Sequence, residues 1–227
     1  AQPGLLKEAV YGLPELYRQE IKAARLIANP GCFPTSAIVP LAPLLRAGVL
    51  ECEGLVIDSK SGVSGAGRTL KQSSHFCEVN EGIKAYGVGS HRHGPEIAQE
   101  LSLAAGCEVE MVFTPHLVPM KRGLLSTVAI PLKPSATIDD VLSAYQSAYE
   151  KSPFVSVLGS KMPQTASVVG TNNAQVGFVV DRRSNTLVSS CAIDNLDKGA
   201  AMQAVQCANI VLGFDETAGL GSVGPII

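Results

Sequence analysis

Three consecutive turn-forming residues, Asn29-Pro30-Gly31, separate a short apolar run from a long one, and this junction constrains the fold more than any other part of the chain. Proline fixes its own φ and biases the preceding residue toward extended backbone, so residues 25–28 read as a strand that ends here. The stretch that follows, CFPTSAIVPLAPLLRAGVL, repeats Ile38, Leu41, Leu44 and Leu45 at helical spacing. Cys32 therefore sits at a strand-to-helix junction.

The same reading carries along the chain. Residues 54–59 form a second apolar strand that runs into the glycine-rich loop Ser61-Gly62-Val63-Ser64-Gly65-Ala66-Gly67-Arg68. After Tyr86 to Ser90 comes His91-Arg92-His93-Gly94, and Pro95-Glu96 then opens a helix, which sets both histidines just before a helix start. Residues 108–114 and 124–132 read as strands, separated by PHLVPMKRG, whose prolines forbid a simple hairpin and leave an irregular loop holding Lys121 and Arg122. Residues 138–151 predict an amphipathic helix capped by Thr137 or Ser135. A hairpin follows from 175–181 and 186–193, and 197–212 reads as a long Ala-rich helix. Strands interleaved with helices, together with a hairpin, give an α+β class: a mixed sheet covered by helices.

Composition narrows the partners. A formal net charge of −2 with both signs scattered suggests neither a nucleic-acid footprint nor a basic membrane patch, so small molecules are the expected partners. No apolar run approaches the roughly 20 residues of a spanning helix, and no secretory layout opens the chain. The six cysteines show no C-x-x-C pair, which fits reduced thiols in a cytosol-like compartment, most of them buried. Because the chain starts at Ala1 and runs at once into a polar stretch, it is expected to be a fragment or a processed chain.

Among residues able to do chemistry, Cys32 stands first. The free N–H groups and dipole of a helix start favour a thiolate and would also stabilise an oxyanion on a carbonyl the thiolate attacks. The competing reading is a packed core thiol. His91 and His93 are the leading proton shuttles, His75 reads as a surface residue, and His116 as a structural histidine satisfied by backbone. A His91-x-His93 zinc site would need His116 or Glu96 as a third ligand, and no other metal spacing supports it, so no metal is expected. The loop Gly62-x-x-Gly65-x-Gly67 matches neither phosphate-binding glycine pattern, and as a bare pattern reads as a tight turn with positive φ. Lys60, Arg68, Lys121 and Arg122 are cations beside loops that could hold an anion.

Taken in order, ANPGCFPTS at 28–36, SKSGVSGAGR at 59–68, GSHRHGPEI at 89–97, FTPHLVPMKRGLLSTV at 113–128 and DNLDKGAAMQAVQCANIVLGF at 194–214 resemble the N-acetyl-gamma-glutamyl-phosphate reductase family over nearly the whole chain. That resemblance implies an NADPH-dependent reduction of N-acetyl-glutamyl 5-phosphate to the semialdehyde, in arginine biosynthesis. Cys32 would expel phosphate to form a thioester, and His91 would be the acid/base. Asn29, Arg68, His93, Glu96 and Arg122 would meet substrate, with Ser61, Gly62, Ser64, Gly65 and Asn195 near the nicotinamide of NADP. Further implications are a homo-oligomer, dimer or tetramer, and a cytoplasmic location, or an organellar stroma in a plant or alga. The family's opening glycine-rich dinucleotide turn does not occur before Cys32 in this chain. Residues 1–26 are accordingly expected to be the tail of a Rossmann-type cofactor domain, 27–193 the catalytic and oligomerisation domain, and 194–227 a helix returning to the cofactor domain. Two other readings stay open: a Cys-His thiol hydrolase or acyltransferase, and a non-catalytic dimerisation fragment.

Overall fold

The computed structural model describes residues 2–221, so residue 1 and the final six residues of the expected 194–227 segment lie outside the described residues. In chain order the regular elements begin with β1 (Ala9–Tyr11), α1 (Pro14–Ala23), β2 (Leu26–Ala28), α2 (Cys32–Arg46), β3 (Leu55–Ser61), α3 (Phe76–Val79) and β4 (Lys84–Ala85). They continue with α4 (His93–Ala105), β5 (Met111–Leu117), β6 (Leu124–Pro131), α5 (Ile138–Tyr149), β7 (Val155–Val157), β8 (Ala174–Asp181), β9 (Thr186–Ile193) and α6 (Ala201–Leu212). Seven strands form one sheet in the order β4-β5-β3-β6-β9-β8-β7, with parallel and antiparallel neighbours mixed. The expected α+β architecture of a mixed sheet covered by helices is what the chain adopts.

Alternation along the strands decides which face is covered. In β3, Leu55, Ile57, Ser59 and Ser61 are buried while Val56 is 45% exposed. β6 alternates in the same way, since successive side chains of a strand point to opposite faces. On the covered face α2 lies over β6 and β9, flanked by α4 and α5. Its buried Ile38, Leu41, Leu44 and Leu45 join Ile57, Leu124, Val128 and Ile193 in one core. Each such side chain contributes about 1.5–3 kcal/mol.

Helix α2 is buried along nearly its whole length despite Pro40 and Pro43. Pro43 has no N–H to give the carbonyl of Val39, and the hydroxyl of Tyr149 on α5 donates to that oxygen at 2.5 Å. Tyr145 donates likewise to the Pro40 carbonyl at 2.6 Å. Two buried tyrosines thus supply the hydrogen bonds that hold a proline-interrupted helix against its neighbour. The cap of α5 is Thr137, whose hydroxyl accepts from the Asp140 N–H while Asp140 accepts from the Thr137 N–H.

Several expected boundaries shift for identifiable reasons. Strand β5 runs on through Pro115 and His116 to Leu117, where a loop was expected. Proline lacks only its N–H, and its carbonyl still accepts from the Tyr86 N–H at 3.0 Å. Helix α4 begins at His93, two residues before Pro95, because the His91 ring caps it by accepting from the His93 N–H at 3.2 Å. The last helix starts at Ala201 rather than 197, since the Asp194 carboxylate takes the N–H groups of Leu196 and Asp197 at 2.8 and 3.2 Å and holds a turn there.

Residues 9–23 drew no assignment from sequence, yet β1 pairs in parallel with β2, and α1 packs on α6 around Ile21, Cys207 and Ile210. The expectation of six reduced thiols is also corrected: Cys52 and Cys107 form a disulfide. They precede β3 and β5, which are parallel neighbours, and the Glu110 N–H donates to the Cys52 carbonyl at 2.9 Å. A separation of 55 residues hides that proximity from the sequence. No helix among the described residues is long and apolar enough to cross a membrane.

Candidate active site

Cys32 is the first residue of α2, with Gly31 in extended backbone before it. Its own N–H and that of Phe33 point at the thiol. The helix start is fixed from below by a chain of buried hydroxyls: Ser59 Oγ and Ser36 Oγ each lie 2.6 Å from Ser126 Oγ, and Ser36 donates to the Phe33 carbonyl at 3.0 Å. These serines escaped the sequence reading. The signal for Ser59 and Ser126 was present as small polar residues on inward-facing positions of otherwise apolar strands.

The expectation that the helix start lowers the Cys32 pKa is corrected. Burial pushes the thiol up to about 11, outweighing the two backbone N–H groups and the Arg92 guanidinium, which pull it down, while the Glu96 carboxylate adds a small upward push.

His91 and Cys32 line the same cavity, of ≈ 860 Å³. Because His91 Nδ1 accepts from the His93 N–H, its neutral form carries the proton on Nε2. Burial and the neighbouring Arg92 charge lower the pKa of His91. His93 is 8% exposed and is lowered to about 4 by burial, with the His91 and Arg92 charges adding to the effect. Its ring packs so closely on Gly31 that a side-chain carbon there would meet Nε2 at 2.4 Å, a contact that explains this glycine better than turn preference does. Glu96 stands one layer behind, accepting from the Tyr11 hydroxyl at 2.7 Å and from the Gly31 N–H at 3.4 Å.

The glycine loop folds onto residues 120–123. The N–H groups of Gly62, Val63 and Ser64 donate to the carbonyls of Gly123, Met120 and Lys121 at 2.9, 2.8 and 3.2 Å. Those amides are engaged, and positive φ occurs in this loop at Gly67 alone. Asn195 links both loops, accepting from the Gly123 N–H at 2.7 Å and donating to Ser64 Oγ at 2.9 Å. Ser61, Gly62, Ser64, Gly65 and Asn195 all line the Cys32 cavity.

Other nominated residues lie elsewhere. Arg122 reaches Asp194 at 2.7 Å and Asp197 at 2.5 Å, so its guanidinium braces the turn before α6. Arg68 is exposed and, with Arg122, lines a groove that adjoins the Cys32 cavity and shares Ser64, Gly67, Lys71, Ser74 and Leu196 with it. Asn29 donates to the Ala200 carbonyl at 3.1 Å and fastens β2 to the α6 approach. His116 sits 3.2 Å from Asp58 Oδ1, so its neighbour is a carboxylate rather than backbone, and His75 is exposed. Among the described residues no cluster of His, Cys, Asp or Glu suits a metal ion.

Two residues the sequence reading passed over complete the wall. Gly199 lies against Cys32, and its neighbour Lys198 is fully buried, donating to Glu15 Oε1 at 2.6 Å and Gln206 Oε1 at 2.8 Å. A buried ammonium is tolerated only when paired in this way. The turn bearing Gly199 is thereby fastened to both α1 and α6.

Comparison with known proteins adds to this geometry. A family model described as semialdehyde dehydrogenase, dimerisation domain, matches residues 32–195. The chain is 54% identical over 224 residues to a protein of Pelobacter propionicus named N-acetyl-gamma-glutamyl-phosphate reductase, covering 97% of this chain and 64% of that one. A relative of the same name from Syntrophobacter fumaroxidans is 52% identical over 218 residues, covering 96% and 63%. The chain thus spans less than two thirds of the length of these curated relatives. Among solved structures, aspartate semialdehyde dehydrogenase II of Vibrio cholerae, described as complexed with ASA, superposes with a TM-score of 0.71 at 18% identity, covering 91% of this chain and 69% of that one. The Francisella tularensis aspartate semialdehyde dehydrogenase gives 0.67 at 15% identity, covering 91% and 71%. These two share the fold.

Proposed function

The chain belongs to the semialdehyde dehydrogenase dimerisation-domain family, and on that premise we propose that it is the catalytic portion of an N-acetyl-gamma-glutamyl-phosphate reductase. One observation carries the reading: a thiol at the first residue of a helix, with two backbone N–H groups aimed at it, shares a cavity with an imidazole whose Nε2 bears a proton. That arrangement suits acyl transfer. The Sγ of Cys32 attacks the acyl carbon, the C–S bond forms, the bond to the phosphate oxygen breaks, and phosphate leaves with the electron pair and, in the net reaction, with the proton of the thiol. The backbone N–H groups at the start of α2 stabilise the oxyanion of the adduct, and His91 Nε2–H hydrogen-bonds to developing negative charge. His93 and Glu96 are positioning residues, packed on Gly31 from one side and bonded to it from the other.

The cavity fits the reactive end of a nicotinamide cofactor. Its Ser64 hydroxyl and Asn195 amide suit an uncharged carboxamide, whereas the engaged amides of the glycine loop offer no cradle for phosphates. NADPH, when bound, supplies the hydride that takes the Cys32 thioester to the aldehyde level. Residues 1–26 are proposed to be the tail of a cofactor domain, 27–193 the catalytic and oligomerising unit, and 194–227, with α6, the segment that returns to the cofactor domain. The uncovered sheet face, where Val56, Val112 and Val179 are exposed, is the proposed homo-oligomer contact. The kinship with bacterial biosynthetic reductases supports a proposed location in the cytoplasm, or in an organellar stroma in a plant or alga.

Single-turnover phosphate release from N-acetyl-glutamyl phosphate tests the reading. The parent chain is expected to release one phosphate per chain and Cys32→Ala none. Equal release from both would remove Cys32 as nucleophile and favour a non-catalytic dimerisation role. Continuous release without NADPH would favour a thiol hydrolase.

A further inference from the structure

We propose that Arg92 is a catalytic residue, its guanidinium holding the anionic phosphate that departs as the Cys32 thioester forms; this rests on the acyl-transfer reading above. The attack leaves an additional negative charge on the departing phosphate oxygen, and a cation at that point stabilises the transition state more than the ground state. Sequence alone nominates Arg68 or Arg122 for the task, and the structure engages or displaces both. Arg122 is bound to Asp194 and Asp197, and Arg68 lines the adjoining groove rather than the part of the cavity that holds Cys32 and the two histidines. Arg92 lines the cavity together with Cys32, His91 and His93. Its side chain is exposed and makes no ion pair among the described residues, so its hydrogen-bonding fork is free for an oxyanion.

Three further points support the placement. Arg92 occupies the cap position of α4, between the two histidines that line the cavity with it. Its charge is felt at Cys32, at Tyr86 and at both histidines, which surround the same cavity. Lys71 and Lys84 also line the cavity, but their ammonium groups are point charges, whereas a guanidinium matches two phosphate oxygens at once.

The test uses the intact chain and inorganic phosphate as the probe. Alkylation of Cys32 by iodoacetamide is followed by peptide mass spectrometry, with the exposed Cys77 as internal standard. Phosphate at ten times its Kd is expected to slow Cys32 alkylation roughly tenfold in the parent and in Arg68→Gln, and to leave it unchanged in Arg92→Gln. Arg92→Lys should retain part of the protection. In single turnover, Arg92→Gln should release phosphate from N-acetyl-glutamyl phosphate about 100-fold more slowly than the parent. Equal protection in Arg92→Gln, or protection lost in Arg68→Gln instead, would overturn the proposal. Protection that depends on Arg92 with no Cys32-dependent phosphate release would sink the acyl-transfer reading while leaving an Arg92 anion site. Arg92 is exposed and its side chain caps nothing, so a melting curve of Arg92→Gln should match the parent.

Discussion

Gly199 lies directly against Cys32: a side-chain carbon on Gly199 would stand 2.6 Å from Cys32 Cβ and 2.8 Å from the Asn195 carbonyl oxygen. The backbone of the turn before α6 is therefore one wall of the Cys32 site. Something must give if that space is filled, and the turn is held by Lys198 and by the Arg122 pairs with Asp194 and Asp197.

Gly199→Ala is accordingly expected to displace Cys32 rather than relax the turn. The overpacking should cost about 1–3 kcal/mol of stability, read from denaturant midpoints. Phosphate release should fall by 100-fold or more, because a displacement of about 1 Å at a reacting atom has that effect. Full activity in a folded Gly199→Ala variant would show that the turn does not position the thiol.

His93 makes stability depend on pH. Its folded pKa is lowered to about 4 from an ordinary 6.5, so between these values the unfolded chain binds the extra proton. The contribution is fully present above about pH 6.5, declines as pH falls through the window and levels off below about 4. Solvent reaches the cavity side of the ring, so the expected loss is about 2 kcal/mol rather than the full conversion of the shift. Urea titrations across this range should show the slope in the parent and its reduction in His93→Gln. An unchanged slope would assign the effect to other groups.

The Cys52–Cys107 disulfide closes a 55-residue separation that contains β3, the glycine loop, both site histidines and α4. Reduction, or Cys107→Ser, should lower stability by up to about 4 kcal/mol through the entropy returned to the unfolded chain. Cys107 is exposed, so a thiol reductant at modest concentration should reach the bond. A melting temperature that is the same with and without reductant would mean that the bond adds nothing to stability in solution.

Much of the architecture was legible residue by residue. Asn29-Pro30-Gly31 marks the break that puts Cys32 at a helix start, the apolar period after it gives α2, and alternating residues give β6, β8 and β9. Motif order carried the likeness to a reductase family, and the comparisons bear out the kinship. Local rules fared worse where a distant partner decided the outcome. Strand β5 passes through Pro115 because its neighbour asks only for the carbonyl, which accepts from the Tyr86 N–H.

Sequence by itself determined α2 and the long strands after it and suggested the type of chemistry, since φ restriction, apolar period and the setting of a thiol at a helix start are properties of neighbouring residues. Only the tertiary structure decided which cations and glycines serve the site. Arg122 stands next to Gly123 and Arg92 between His91 and His93, and neither setting says where the guanidinium ends up. Folding pairs Arg122 with Asp194 and Asp197, some 70 positions away, and leaves Arg92 lining the same cavity as Cys32. Burial, which raises the Cys32 thiol against the pull of its own helix, likewise depends on what packs around it. Charge pairing and desolvation are set by distance in space, and sequence spacing does not encode distance between segments this far apart.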